Sequence, residues 1–405
     1  MPLKKPKILI YSHDSFGLGH LRRCQTIAHS LVEEFADLSI LILSGSPIIG
    51  SFDFRNRVDF VRIPGVIKQR NGEYSSLSLR IDIHEILAIR ESIIQHTARV
   101  FDPDIFLVDK EPTGLRGEVL STLEMLKPTR TRLILGLRDV MDDPELLEEE
   151  WERKNVVPVM SDLYDEIWTY GLPEIYDPLS GLDLPANIPA KTMFSGYLRR
   201  KVPAGNSPAI DEPFDREPYI LVTPGGGGDG VEMVDWVMRA YEARDVPLFP
   251  ALIVLGPFMP AEAHSDFLAR AEHLRDVEII RFTPHIEPLI ENAVAMVAMG
   301  GYNTFCEILS FDKPTLLIPR EVPRREQSIR AAQAKKAGLV HVLPIECYPA
   351  TKPMLEALTG LPKMAPPSNA GHQGLLDGLT TINRRVAQII SEDQEQQDTF
   401  EPVFA

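Results

Sequence analysis

The sequence predicts an α/β protein of two domains, each with a doubly wound parallel sheet. Short segments rich in Ile, Val, Leu and Phe alternate with helical periodicity along most of the 405 residues, as in repeated βαβ units. The strand segments lack strict apolar–polar alternation, which is typical of strands buried on both faces. The pattern breaks around residues 199–218, where residues 201–208 have the composition of a linker, and then restarts. A break of this kind indicates a linker between two similar domains.

The first half contains seven predicted strands with helices between most of them. The clearest helix covers residues 20–35, whose apolar side chains fall on one stripe. Further helices are expected at 83–101 and 117–126. The predicted strands are residues 7–11, 38–43, 58–63, 104–109, 132–137, 166–170 and 191–195. We therefore expect an N-terminal Rossmann-like domain over residues 1–200.

The second half repeats the alternation after a linker predicted at residues 201–217. Its predicted strands are residues 219–223, 249–255, 278–282, 294–299, 314–318 and 339–343. Its predicted helices are residues 231–243, 261–275, 286–292, 304–311, 325–337 and 374–390. A second Rossmann-like domain is expected over 218–390, and the acidic, Gln-rich segment 391–405 is expected to be a disordered tail.

The composition excludes several classes of protein. With 42 basic and 58 acidic residues the net charge is −16, so we expect no general binding to nucleic acid. Three widely spaced cysteines, Cys24, Cys306 and Cys347, form neither a disulfide framework nor a zinc motif. No apolar run is long enough for a signal peptide or a bilayer span. We expect a cytoplasmic protein whose membrane association, if any, is peripheral.

A glycine turn follows the first predicted strand and leads into His20. A nicotinamide-binding fingerprint would need a third glycine where Arg22 stands and an acid after the second strand, where Ser44 and Gly45 stand. Two interpretations remain: a tight βα turn with a surface histidine, or a histidine at a helix N-terminus that serves as a general base. Asp109 closes the fourth strand at the same sheet edge. It either orients His20 or caps the next turn.

A second glycine turn opens the second domain with four consecutive glycines, residues 225–228. Glycines at 225, 227 and 230 match the dinucleotide pattern formally, but no acid closes the next strand. Val231 stands where a P-loop would need lysine. The segment is either a flexible loop or an anion cradle. Its position directly between a strand and a helix favours the cradle.

A third turn, Gly300 and Gly301, lies between a strand and a helix. Thr304 with Glu307 three residues later predicts a capping box. Alternatively, the turn offers backbone N–H groups to a diphosphate, and Glu307 accepts hydrogen bonds from a ribose. The next strand ends in a loop, residues 318–327, that is crowded with polar groups at the edge where such folds bind ligands.

Residues 281–327 resemble the C-terminal, donor-binding domain of GT-B glycosyltransferases of family 28. That family includes peptidoglycan N-acetylglucosaminyltransferases and monogalactosyldiacylglycerol synthases. The resemblance implies a GT-B fold, two Rossmann-like domains facing a central cleft, and a nucleotide-sugar donor, UDP-linked. It implies that uracil is held by Phe282 and Thr283, the diphosphate by Gly300, Gly301, Asn303 and Thr304, the ribose by Glu307, and the donor sugar by Glu326 and Gln327. The four glycines 225–228 depart from the family's Gly-Gly-Ser/Thr turn, so which side chain there touches phosphate stays open.

Residues 17–24 carry a second resemblance. They are similar to the Gly-x-Gly-His turn at the start of these transferases, and closer to the GxGHxxRC turn of the sugar-nucleotide hydrolase of pseudaminic acid synthesis. Additional chain over residues 142–189 favours a transferase over a hydrolase. A non-catalytic sugar-nucleotide sensor and an epimerase are further alternatives, and His20 argues against the sensor.

These observations lead to one hypothesis for the reaction. We expect an inverting transferase without metal or other cofactor, in which helix N-termini stabilise the departing diphosphate. His20 is the expected base and Asp109 its orienting acid. The acceptor is unknown, and its expected contacts are Gly17, Gly19, Arg22, Lys110, Glu111 and Arg138.

Overall fold

The computed structural model describes residues 5–13, 19–68, 74–202, 214 and 217–400. The chain divides into two compact units. The first contains Met1–Pro173, Asp177–Leu198 and Asp377–Ala405, and the second contains Glu174–Tyr176 and Arg199–Leu376.

The first unit is built on a seven-stranded parallel sheet. The described strands of the whole unit, including two that lie outside this sheet, are β1 (Lys7–Ser12), β2 (Ser39–Ser44), β3 (Val58–Arg62), β4 (Val66–Lys68), β5 (Tyr74–Ser76), β6 (Ile105–Asp109), β7 (Arg132–Arg138), β8 (Glu166–Tyr170) and β9 (Thr192–Phe194). The sheet order is β3-β2-β1-β6-β7-β8-β9, and β4 and β5 form a separate antiparallel hairpin that the sequence analysis did not predict. Its helices are α1 (Gly19–Glu34), α2 (Ile83–Phe101), α3 (Leu120–Leu126), α4 (Pro144–Arg153), α5 (Val156–Asp162) and α6 (Asn187–Ala190).

The strand order of the first sheet reverses at β1. This strand pairs with β2 on one side and with β6 on the other, both in parallel. Its residues Ile8 to Tyr11 are buried on both faces, which explains the continuous apolar run in the sequence. Ligands of doubly wound sheets bind beyond the carboxyl ends of the strands at such a reversal. In this unit, that position is where β1 leads to α1 and where β6 ends.

The second unit repeats this architecture with six parallel strands. Its strands are β10 (Ile220–Thr223), β11 (Ala251–Val254), β12 (Val277–Ile280), β13 (Ala295–Ala298), β14 (Thr315–Leu317) and β15 (His341–Val342), in the order β12-β11-β10-β13-β14-β15. Its helices are α7 (Val231–Ala243), α8 (Ala261–Ala271), α9 (Glu287–Asn292), α10 (Tyr302–Ser310), α11 (Glu326–Lys336) and α12 (Thr351–Gly360). The reversal lies between β10 and β13, so the turns that follow these strands are adjacent.

The last helix corrects two expectations. Helix α13 (Gly378–Phe400) belongs to the first unit, whereas the sequence predicted that residues up to 390 complete the second domain. Its residues Ile382, Val386 and Ile389 are buried there, and Arg385 binds Glu166 of β8 at 2.7 Å. The backbone stays helical to Phe400 in place of the predicted disordered tail. The apolar spacing indicated the helix, but not the sheet on which it packs.

Two further findings bear on function. Within the described ranges, no helix is both long enough and apolar enough to cross a bilayer. The same residues contain no group of three or more His, Cys, Asp or Glu side chains arranged to hold a metal ion.

Candidate functional site

The first unit brings together the two residues that the sequence predicted as base and orienting acid. His20 is the second residue of α1, and Asp109 is the last residue of β6. Nδ1 of His20 lies 2.6 Å from Oδ2 of Asp109. The Asp109 side chain is buried, whereas that of His20 keeps 19% of its surface exposed. The acid therefore binds the imidazole at Nδ1, while part of the ring stays exposed.

Arg23 completes this group, and the sequence analysis missed it. Its Nε donates to Oδ1 of Asp109 at 2.8 Å, and its Nη2 donates to Oδ2 at 2.6 Å. The guanidinium also lies over the ring of Tyr170, 5.9 Å from its centroid. Arg22, the arginine predicted from the sequence as an acceptor contact, is half-buried. Only Arg23 stands three positions after His20, the spacing that places two side chains on the same helix face.

The protonation of His20 and Asp109 follows from their surroundings. Burial by itself would raise the pKa of Asp109, but Arg23 and His20 outweigh it and hold that pKa well below its usual range. Burial lowers the pKa of His20, against the opposing effect of Asp109. Nη2 of Arg23 also lies 3.0 Å from Nδ1, but the Asp109 oxygen is closer and at neutral pH can only accept a hydrogen bond, so we assign the hydrogen of the neutral His20 to Nδ1. Nε2 then carries a lone pair and is the atom able to take a proton.

A second histidine, His13, faces His20 from the end of β1. The two ring centroids are 5.7 Å apart in an edge-to-face arrangement. Nδ1 of His13 lies 3.3 Å from the hydroxyl of Tyr11, which donates to Glu118 at 2.5 Å. Glu118 is bound in turn by Nε and Nη2 of the buried Arg90. Burial holds the pKa of His13 well below its ordinary value, so it is also a neutral imidazole at neutral pH.

The residues predicted to contact the acceptor are located as follows. Gly19 is the exposed first residue of α1, and Gly17 lies outside the described residues. Lys110 and Glu111 are buried directly after β6, with Lys110 Nζ 3.2 Å from Glu111 Oε1. Glu111 also accepts a hydrogen bond from Lys154 at 3.0 Å. Arg138 is the half-buried last residue of β7.

In the second unit, the four glycines form a turn between β10 and α7. A Cβ atom at Gly227, where φ is +88°, would lie 2.3 Å from the carbonyl oxygen of Leu255. Phe258 donates its backbone N–H to the carbonyl of Gly226 at 3.0 Å. Glycine is therefore needed at 227 for the close packing of this turn against the turn after β11. Gly225, Gly226 and Gly228 are exposed, so their backbone can meet a ligand.

The turn after β13 lies beside this loop. A Cβ atom at Gly225 would lie 3.6 Å from Oγ1 of Thr304, whereas one at Gly301 would meet nothing within 4 Å. Gly301 is the N-cap of α10, and the space next to its Cα is open; helix N-termini are positions where anions bind. Because Thr304 is the third residue of α10, it does not cap the helix as the capping-box alternative predicted.

Side chains around this turn fix its backbone. Arg330 of α11 donates from Nη1 to the carbonyl of Gly300 at 3.0 Å and lies over the ring of Tyr302. The side-chain oxygen of Asn303 accepts a hydrogen bond from Arg200 at 2.8 Å. Glu307 is buried on the same helix. Neither Arg330 nor Arg200 was predicted from the sequence, since neither adjoins a glycine turn in the chain.

The predicted base-binding residues, Phe282 and Thr283, follow β12 and are half-buried. Oγ1 of Thr283 accepts the backbone N–H of His285 at 3.1 Å. A second aromatic side chain, Phe258, lies against Gly226. It stands in the turn after β11 and was also missed by the sequence analysis.

The predicted sugar-binding pair, Glu326 and Gln327, opens α11, and both residues are buried. Arg320 connects them to the loop before the helix. Its Nη2 donates to Oε1 of Glu326 at 2.8 Å, and its backbone N–H donates to Oε1 of Gln327 at 3.2 Å. The turns after β10, β13 and β14 are therefore neighbours: Gly225 approaches Thr304, and Arg320 pairs with Asp229.

Comparison with known proteins supports the fold and places a family domain in the second unit. Residues 251–363 match the glycosyltransferase family 28 C-terminal domain. No curated protein is significantly similar in sequence to this chain. The match covers β11 to α12, which includes the turn at Gly300 and the Glu326–Gln327 pair. The four glycines 225–228 precede it.

Solved structures match the chain over almost its full length. The glycotransferase of kitacinnamycin aligns with a TM-score of 0.60 at 14% identity and covers 96% of this chain and 99% of its own. MurG of Acinetobacter baumannii aligns with a TM-score of 0.60 at 10% identity, covering 95% and 100%. Glycosyltransferase VinC, in complex with dTDP, aligns with a TM-score of 0.58 at 14% identity, covering 95% and 98%. The predicted GT-B fold with two Rossmann-like units is thus confirmed. These matches give no support to the hydrolase resemblance of residues 17–24.

Proposed function

We propose that this chain is an inverting glycosyltransferase that moves a sugar from a nucleotide sugar, UDP-linked, to an acceptor hydroxyl without a metal ion. The observation that carries the proposal is the presence, in one chain, of a family 28 donor domain and a neutral, acid-oriented histidine. A nucleotide-sugar sensor would need only the first of these. A transferase needs both.

The donor is held in the second unit in this proposal. The diphosphate lies on the backbone N–H groups of the glycine loop 225–228 and of the first turn of α10. Open space at Gly301 supports this placement, since a methyl group there would meet no atom of the described residues within 4 Å, its neighbours in the chain aside. By resemblance to family 28, Phe282 and Thr283 hold the base, Glu307 the ribose, and Glu326 with Gln327 the sugar.

His20 is the general base of the proposed reaction. Its Nε2 takes the proton of the acceptor hydroxyl while that oxygen bonds to the anomeric carbon. The bond from the anomeric carbon to the diphosphate oxygen breaks on the opposite side, which inverts the configuration. The departing diphosphate is stabilised by the helix N-terminal N–H groups, so the proposal requires no divalent ion. Asp109 keeps Nδ1 protonated and stabilises the imidazolium that forms.

The acceptor side belongs to the first unit in this proposal. We propose that the acceptor is contacted by Gly19, Arg22, Lys110, Glu111 and Arg138.

We also propose a cytoplasmic location, in which any association with a membrane is peripheral.

A screen for substrates tests the proposal. The wild-type chain is heated with a panel of UDP- and dTDP-sugars, and any sugar nucleotide that raises the unfolding temperature is then incubated with cell extract. We expect mass spectrometry to find a new glycosylated product together with the nucleoside diphosphate. Failure of every nucleotide sugar to bind would contradict the proposal. Release of free sugar at a rate independent of extract would instead assign a hydrolase.

A further inference from the structure

The loop after β14 contains a buried carboxylate with one uncommitted oxygen. Glu326 is only 5% exposed. Its Oε1 accepts the hydrogen bond from Arg320, whereas its Oε2 is buried without a hydrogen-bond partner among the residues that the structure describes. A buried carboxylate oxygen without a donor is costly, so a ligand that brings a hydroxyl donor would remove that cost.

Arg320 lies between two acids of different loops. Its Nε is 3.1 Å from Oδ2 of Asp229, next to the glycine loop, at an ion-pair distance. Its Nη2 holds Glu326 at the start of α11. The Asp229 side chain is 57% exposed, so the pair contributes little to stability by itself. The positive charge of Arg320 matters more than the strength of this pair, because Asp229 follows the glycine loop 225–228 and Glu326 opens α11, both next to the proposed position of the anionic donor.

We infer that Arg320 is a positioning residue for donor recognition. It holds Glu326 so that Oε2 accepts a hydroxyl of the donor sugar, and it offsets the charges of Asp229 and Glu326 near the diphosphate. This inference rests on the proposed function and deepens it, because it makes recognition of the sugar depend on a residue outside the sugar-binding pair. Gln327 fixes the backbone of Arg320 through its side-chain oxygen, so its amide N–H₂ stays the group that can donate to the same sugar.

A double-mutant cycle tests the coupling between Arg320 and Glu326. Calorimetry measures the binding of UDP, UDP-glucose, UDP-galactose and UDP-N-acetylglucosamine to the wild type, Arg320→Gln, Glu326→Gln and the double variant. We expect each single change to weaken the best-bound UDP-sugar roughly tenfold. The double variant should lose about as much as one single variant, because both changes remove the same contact. Binding of UDP, which has no sugar, should weaken less than that of the UDP-sugar in Arg320→Gln, through the unbalanced acids alone, and should not weaken in Glu326→Gln, which removes a negative charge.

The variant Asp229→Asn tests the role of the Arg320 charge separately. Placed in the Arg320→Gln background, it removes one of the two unbalanced charges and should restore part of the lost affinity. A merely structural role of Arg320 would give no such recovery. Arg239→Gln is the matched control, since Arg239 is an exposed cation paired with Asp235 on α7. It should bind as the wild type does.

The outcomes separate this inference from the proposed function. If the wild type binds no UDP-sugar of the panel, both are overturned. If the wild type binds but Arg320→Gln retains its affinity, or if the two single losses multiply in the double variant, only the role of Arg320 is overturned. Should Arg320→Gln unfold, Arg320→Lys provides the readout, with an expected loss because one ammonium cannot serve both acids as the guanidinium does.

Discussion

Nδ1 of His20 lies 2.6 Å from Oδ2 of the buried carboxylate of Asp109, which can only accept a hydrogen bond and is itself held by two hydrogen bonds from Arg23. The relationship fixes the tautomer of the imidazole and directs its lone pair to Nε2. Asp109 can keep the hydrogen on Nδ1 only if it is ionised and held in this orientation.

Asp109→Asn should lower turnover by roughly 10²–10⁴ and leave the affinity for UDP unchanged. The amide can donate to Nδ1 of His20, which would place the hydrogen on Nε2 and remove the lone pair that accepts the proton. Steady-state kinetics and calorimetry with UDP on the same preparation measure the two effects. Asp82→Asn, at the N-cap of α2, is the control, since asparagine caps helices as well as aspartate does. Equal activity in both variants would show that Asp109 has no part in the reaction.

The pH dependence of turnover should report the lowered pKa of His20. A base works in its neutral form, so the rate should be constant at neutral pH and fall only as the pH drops through a value below about 6.5, the ordinary imidazole pKa. The charged or titratable groups facing His20 are Asp109, Arg23, Lys110 and His13.

Arg23→Gln should move this acidic limb to higher pH, because Arg23 disfavours the imidazolium. Arg55→Gln, which removes a partly exposed cation of the same unit, should leave the limb in place. A limb that stays fixed in Arg23→Gln, or that moves to lower pH, would show that His20 is not the titrating base. Dividing each rate by the folded fraction of the variant removes the effect of unfolding, so the acidic limbs of the variants can be compared directly.

Gly301→Ala should weaken UDP binding, whereas Gly227→Ala should lower the stability of the fold. At Gly301 a methyl group meets no protein atom within 4 Å, so the variant should fold normally and bind UDP more weakly, because the methyl takes the space assigned to the diphosphate. At Gly227 the methyl would overlap the carbonyl of Leu255, and φ is +88°. That variant should lose about 1–3 kcal/mol of unfolding free energy. Normal UDP affinity in Gly301→Ala would remove the diphosphate from α10.

Turnover should persist after exhaustive chelation, since the backbone N–H groups of the glycine loop and of α10 are proposed to carry the diphosphate charge. The assay compares chelated enzyme with enzyme resupplied with Mg²⁺ or Mn²⁺. Activity that disappears on chelation and returns with either ion would overturn the metal-independent mechanism.

The sequence predicted those features that follow from local residue patterns and from the topology of a parallel sheet. The contact between His20 and Asp109 was predictable, because both follow strands of one parallel sheet and the carboxyl ends of such strands share an edge. The strand–glycine–helix order likewise indicated the turns at Gly225 and Gly300.

Other features depend on tertiary packing, which sequence patterns do not encode. Arg23 is buried against Asp109 and Tyr170 although its charge suggested a surface position. Arg330 reaches Gly300 from a helix that begins 26 residues later in the chain. The spacing of Ile382, Val386 and Ile389 predicted a helix, but not its place on the first unit. In each case the partner is chosen by three-dimensional proximity.

The most direct measurement is the turnover of His20→Ala, followed by mass spectrometry of the transferred sugar alongside calorimetry with UDP. His29→Ala, on the same helix, is the control. The account predicts that His20→Ala loses roughly 10²–10⁴ in turnover and binds UDP as the wild type does, while His29→Ala keeps its activity. Unchanged turnover in His20→Ala would contradict the account, as would a loss of UDP affinity by the same factor as the rate.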